Sequence, residues 1–124
     1  MPKRILVVDD NARIRGLVRE FIESCPGFEI CGEAIDGLEG IQKGRELKPD
    51  LIILDFLMPQ LNGLQAAMIL HEIVPNSPII LFTFYKGAIS RDLAQAAGVA
   101  SILSKTDQLA TLVDEVQRLA GYEN

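Results

Sequence analysis

The 124 residues carry 12 Lys and Arg against 17 Asp and Glu, a formal net charge of −5 at pH 7, with 48% hydrophobic and 23% charged residues. That is the size and composition of one globular domain, expected to span residues 1–124 and to bury its own core. The acidic balance argues against direct nucleic-acid binding, and no apolar run approaches the roughly 18 residues of a membrane span. The apolar stretch after Met1-Pro2-Lys3-Arg4 is too short for a signal peptide, so a cytoplasmic location is expected. Cys25 and Cys31 have no His partner at zinc spacing and read as two reduced small hydrophobes.

Ile5-Leu6-Val7-Val8 is a fully apolar run that ends in Asp9-Asp10. After Asn11 a helix opens with Ile14, Leu17, Val18, Phe21 and Ile22 on one stripe, and Pro26-Gly27 ends it. Residues Phe28 to Glu33 alternate apolar and mostly polar, the pattern of a half-exposed edge strand. Asp36-Gly37 turns the chain into a second helix with a weak stripe, Leu38, Ile41 and Leu47, closed by Lys48-Pro49-Asp50. Leu51-Ile52-Ile53-Leu54 then reads as a strand buried on both faces, and it stops at Asp55. The segment behind it, through Pro59 and Asn62-Gly63, cannot continue that strand.

A third helix is expected to bury Leu64, Ala67, Met68 and Ile73 before Pro75-Asn76. Ile79 to Phe82 form another apolar strand, which delivers Thr83. A smaller helix with Ile89, Leu93, Ala96 and Ala97 stops at Gly98, and its approach near Lys86 follows Phe84-Tyr85. Ala100 to Leu103 make a short last strand that delivers Ser104 and Lys105. The final helix carries Leu109, Leu112, Val113 and Val116, and is expected to fray after Gly121. Strands alternating with helices imply a parallel sheet covered on both faces by right-handed crossovers. The expected fold is an open, doubly wound α/β domain of five parallel strands and five helices, flavodoxin-like, in strand order 2-1-3-4-5.

The chemistry-bearing residues sit just past the strand ends. Asp9 and Asp10 follow the first strand, Asp55 the third, Thr83 the fourth and Lys105 the fifth. In an open parallel sheet the ligand crevice lies outside these carboxyl ends, and neighbouring first and third strands would bring the three carboxylates together. Such a set calls for a cation, and oxygen ligands with open positions suit Mg²⁺. A carboxylate can also act as nucleophile, and Asp55, whose loop can wrap an incoming group, is the candidate for in-line phosphoryl transfer.

The set of Asp9-Asp10, Asp55-x-x-Met58-Pro59-x-x-x-Gly63, Thr83 and Lys105 resembles the receiver domain of two-component response regulators over essentially the whole chain. The resemblance implies that Asp55 is the phospho-acceptor, with Asp10 and the backbone carbonyl of Leu57 as Mg²⁺ ligands and Asp9 acting through water. Thr83 would hydrogen-bond the phosphoryl oxygens and Lys105 would pair with Asp55 or the phosphate. It further implies a sensor histidine kinase or phosphotransfer protein as donor, and a switch that catalyses only its own phosphorylation and dephosphorylation. A homodimer on phosphorylation and a C-terminal effector domain fit the same family.

Three positions depart from the commonest family pattern. Ile102 stands where an aromatic switch residue is usual, and Thr106 where many relatives have Pro, which removes the usual reason for a cis peptide. Leu57 and Tyr85 are apolar or bulky at positions that resemble gatekeepers of the hydrolytic water. Three other readings compete. A phosphohydrolase usually carries a second acid two residues after the nucleophile, where Leu57 stands. A flavin carrier needs a donor-rich phosphate loop where Asp9-Asp10-Asn11 is acidic. A docking receiver without phosphate chemistry would not need the full acidic set. His71 has no partner in sequence and reads as an exposed or satisfied helix residue.

Overall fold

The computed structural model describes residues 1–121. Its elements are β1 (Lys3–Val8), α1 (Ala12–Glu23), β2 (Phe28–Ala34), α2 (Gly37–Leu47), β3 (Leu51–Leu54), α3 (Gly63–Ile73) and β4 (Ile79–Thr83). A 3₁₀ turn (Lys86–Ala88), α4 (Arg91–Ala96), β5 (Val99–Ser104) and α5 (Leu109–Ala120) complete them. The strands pair in parallel in the order β2-β1-β3-β4-β5, as the strand–helix alternation predicts. The expected fraying beyond Gly121 lies outside the described residues.

The two-residue period of the strands divides the core into two layers. Leu6, Val8, Ile52, Leu54, Ile79 and Leu81 face one side, where Ala67, Leu70 and Ala94 of α3 and α4 cover them. Ile5, Val7, Leu51, Ile53, Ile80 and Phe82 face the other, under Val18 and Ile22 of α1 and Leu112 and Val116 of α5. Polar side chains cap the starts of α1 to α4. Asn11 accepts from the amides of Arg13 and Ile14, Asp36 from Glu39, and Ser90 from Leu93. Asn62 and Gln65 cap α3 reciprocally.

Helix faces depart from the predicted stripes at several places. In α1 the buried residues are Val18 and Ile22, while Leu17 and Phe21 lie on the exposed margin of the stripe. The weak stripe of α2 has a physical cause: its buried face is made of Gly37, Gly40 and Gly44, and Leu38 is exposed. A Cβ on Gly44 would stand 2.6 Å from Leu70 Cδ2, so the absence of a side chain lets α2 lie close against α3. In α3, Ala66, Ala67 and Leu70 are buried and the expected core residue Met68 is 58% exposed. Around α4 the expected Leu93 and Ala96 point to solvent and Ala94 is buried instead, while Ile89 and Ala97 are buried as expected. Ile89 is in extended backbone before the Ser90 cap, so a helical period counted from it is out of phase.

These placements separate two truncations. Ile52→Ala, at a fully buried site in the central strands, should cost about 2–5 kcal/mol in denaturant unfolding. Leu93→Ala, 63% exposed, should change stability by less than about 0.5 kcal/mol.

Candidate functional site

The carboxyl ends of β1 and β3 lie side by side, with Val8 paired to Leu54, so the residues that follow each strand are neighbours. The Asp55 amide donates to Val8 O (2.9 Å) and the Asp9 amide to Ala34 O (3.0 Å), which extends the sheet pattern one residue into both acidic loops. Carboxylate oxygens of Asp9, Asp10 and Asp55 come within 4.8 Å of one another. Asp9 and Asp55 are buried and Asp10 is exposed.

Lys105 closes the group from β5. Its ammonium lies 2.6 Å from Asp9 Oδ2 and 3.2 Å from Asp55 Oδ2, with all three side chains almost entirely out of water. The remaining oxygens are also held. Asp9 Oδ1 accepts from the Asn11 amide (2.9 Å) and Asp55 Oδ1 from the Phe56 amide (2.8 Å). Burial, reinforced by the charge of Asp9, raises the Asp55 pKa above the usual aspartate value, and Lys105 and the Phe56 amide oppose the rise. Formally, three negative charges against one positive leave two in excess, the charge of one divalent cation. An all-oxygen donor set with an exposed member fits Mg²⁺.

The turn behind Asp55 is tight. Gly63 N donates to Phe56 O (2.6 Å), and a Cβ on Gly63 would stand 2.8 Å from Phe56 Cα and would also collide with Asp55 O. The glycine of the sequence motif is therefore required by close backbone approach. A cavity of about 210 Å³ opens over the group, lined by Asp10, Asn11, Asp55, Leu57, Phe84, Tyr85 and Lys105. The Phe84 ring centroid is 5.3 Å from Lys105 Nζ, in range of a cation–π contact.

Of the predicted site residues, Asp9, Asp10, Asp55 and Lys105 are brought together. Leu57 lines the cavity. Thr83 is placed differently. It is fully buried, it does not line the cavity, and its hydroxyl accepts from the Tyr85 amide at 3.1 Å. Its backbone carbonyl takes the Lys105 amide (2.9 Å), so it supports Lys105 through the β4–β5 ladder. Asn11 and Phe84 are cavity residues that motif spacing does not single out. The described residues contain no cis peptide, in line with Thr106 in place of Pro. Ile102 lines a second, larger cavity of about 530 Å³ with Lys86, Arg91 and Gln95, on the α4–β5 face. His71 is exposed, its ring against Gly98.

The family model described as "Response regulator receiver domain" matches residues 5–117. The chain belongs to the response regulator receiver family. It is 33% identical over 120 residues to the chemotaxis protein CheY of Thermotoga maritima, covering 97% of this chain and 99% of that protein. It is 37% identical over 122 residues to a protein-glutamate methylesterase/protein-glutamine glutaminase of Maricaulis maris, covering 97% of this chain but only 28% of that protein. Among solved structures, the response regulator domain of Thermotoga maritima CheB superposes with a TM-score of 0.88 at 27% identity, covering 100% of both chains. Receiver domains are signalling domains of two-component systems, with phosphorylation-dependent switching as their general role and an acidic pocket that generally binds Mg²⁺. No described helix of this receiver is long and apolar enough to cross a membrane.

The raised Asp55 pKa has a stability consequence with a definite sign. The folded state holds that proton more tightly than the unfolded chain, so the cost of the ionised form is present at neutral pH. It vanishes as the pH falls through the raised value to the ordinary aspartate range. Without divalent metal, Asp55→Asn should raise the Tm at pH 7. Thermal melts over a pH series should show that advantage shrinking on acidification.

Proposed function

We propose that this receiver is a phosphorylation-dependent switch that accepts a phosphoryl group on Asp55 and then presents an altered partner-binding face. The observation that carries the reading is the buried Asp9–Lys105–Asp55 group set beside exposed Asp10 at the mouth of a small cavity. Asp9, Asp10, Asp55 and the backbone carbonyl of Leu57 would hold Mg²⁺, with Asp9 acting through water. When bound, the ion supplies charge neutralisation to the carboxylates and the incoming phosphoryl group.

A carboxylate oxygen of Asp55 attacks phosphorus in line. The new P–O bond forms as the P–N bond of a phosphohistidine donor breaks, and the imidazole leaves with the electron pair and takes up a proton. Lys105, already 3.2 Å from Asp55 Oδ2, balances the charge that builds on the phosphoryl oxygens. The Thr83 hydroxyl accepts from the Tyr85 amide and would turn its own hydrogen to donate to one of those oxygens. That rotation would pull on the segment leading to the 3₁₀ turn and α4, where the exposed Phe84, Tyr85 and Leu93 lie.

The donor is a sensor histidine kinase or phosphotransfer protein. The chain spans about a quarter of the methylesterase relative. An effector domain beyond this receiver and a homodimer on phosphorylation belong to the same proposal.

Incubation with Mg²⁺ and acetyl phosphate, read by intact mass, should add one phosphoryl group. Asp55→Asn or removal of the metal should abolish the addition. No addition, under conditions that modify another receiver, would favour a phosphate-independent docking receiver. Lifetime gives a second test. Leu57 offers no hydrogen-bonding side chain over the cavity and Tyr85 crowds it, so a hydrolytic water is poorly held. The double variant Leu57→Asn, Tyr85→Glu should lose phosphate roughly tenfold faster, about 1.4 kcal/mol off the barrier. Dephosphorylation followed by mass over time checks this.

A further inference from the structure

Asp9 and Asp10 sit on a three-residue loop between β1 and α1, and a side chain outside the acidic group grips that loop. Arg15, one turn into α1, donates through Nη1 to the backbone carbonyl of Asp9 (2.7 Å) and through Nε to Glu33 Oε1 (3.0 Å). Glu33 precedes Ala34, whose carbonyl accepts the Asp9 amide at 3.0 Å. The contacts form a closed ring, from Asp9 O through Arg15 and Glu33 to Ala34 and back to Asp9 N. Both amide faces of Asp9 are fixed by it, on one side by edge strand β2 and on the other by α1.

Glu33 is itself anchored. Its second oxygen accepts from Arg19 Nε (2.8 Å), and its backbone carbonyl takes the Lys43 ammonium. Partial burial pushes the Glu33 carboxyl up, but the hydrogen bonds from Arg19 and Arg15 outweigh it and keep the group ionised to well below neutral pH. The Arg15 side chain is only 15% exposed, so its fork is held in place by both partners. The carbonyl it grips belongs to the peptide unit that joins Asp9 to Asp10. The Asp10 side chain is exposed, so the direction in which it projects is set by that backbone.

We propose that Arg15 is a positioning residue that orients the Asp9–Asp10 peptide, and so the metal-facing carboxylates, through its bridge to Glu33. This rests on the reading of the acidic group as a Mg²⁺ site. Arg15 touches neither metal nor phosphate, and its charge, taken alone, would oppose cation binding. A purely electrostatic role and a positioning role therefore predict opposite signs when the guanidinium is removed.

The test is a Mg²⁺ titration of the full chain, followed by the amide NMR resonances of Asp10 and Asn11. The proteins are the wild type, Arg15→Met (which keeps the aliphatic stem), Arg15→Lys and Arg19→Met. Arg15→Met should raise the Kd about tenfold. Arg15→Lys, which keeps the charge but can hold only one partner at a time, should fall between it and the wild type. Arg19→Met loses a comparable bond to Glu33 but none to Asp9, and should stay within about twofold. Metal-free melting temperatures of the two Met variants should be similar, which separates positioning from global loss of stability.

Unchanged or tighter Mg²⁺ binding by Arg15→Met overturns the proposal, as does an equal loss in Arg19→Met. If Arg15→Met does not fold, an unchanged Kd for Arg15→Lys overturns it. A wild type without saturable Mg²⁺ binding overturns the metal-site reading itself, and this inference with it.

Discussion

The ammonium of Lys105 between two buried carboxylates is the interaction on which the site depends. Each partner comes from a different strand end, so the contact exists only if β1, β3 and β5 are in register with their neighbours. A lysine and two aspartates this far from water are tolerable only because each carboxylate also accepts a backbone amide. Removing the ammonium would leave buried charge uncompensated, a loss of about 3–5 kcal/mol for pairs of this kind. The same excess of negative charge favours a divalent cation at this place. The fold holds like charges together and leaves one of them, Asp10, open to solvent.

How much of this was legible from sequence varies with the kind of signal. The strands were, because runs such as Leu51–Leu54 and Ile79–Phe82 are buried on both faces and contain nothing polar until they end. Their ends then located Asp9, Asp10, Asp55 and Lys105 by arithmetic alone. The edge position of β2 followed from its mixed burial. Helix faces were less legible. Gly40 and Gly44 carry no hydrophobic signal yet form the inner face of α2, since close approach replaces side-chain volume there. Met68 and Leu93 fit an apolar stripe by type, but packing against the sheet selected the smaller alanines beside them.

Within the site, what escaped the sequence was orientation. The spacing that puts Thr83 at the end of β4 does not say that its hydroxyl turns back to the Tyr85 amide. Nor can it say that Phe84 lies over Lys105. Arg15 carries no signal of its role in the sequence, because its two partners lie on the loop before the helix and 18 residues further along on β2. Contacts of that kind depend on how layers meet, and no local pattern encodes them.

The two sides of the sheet differ in how firmly their covering helices are held. The α1 and α5 layer is fastened by Val18, Ile22, Leu112 and Val116. By contrast, α4 has six residues, of which Ala94 alone is buried, and it follows a single 3₁₀ turn. An alanine contributes little to holding a helix down, so the free energy needed to lift this segment is a small part of the whole. The segment from Phe84 to Ala97 is thus fastened less firmly than the opposite layer, with only Ile89, Ala94 and Ala97 buried among its residues. Phe84, which begins it, lies over Lys105, so the least firmly held side of the sheet is also the side in direct contact with the acidic group.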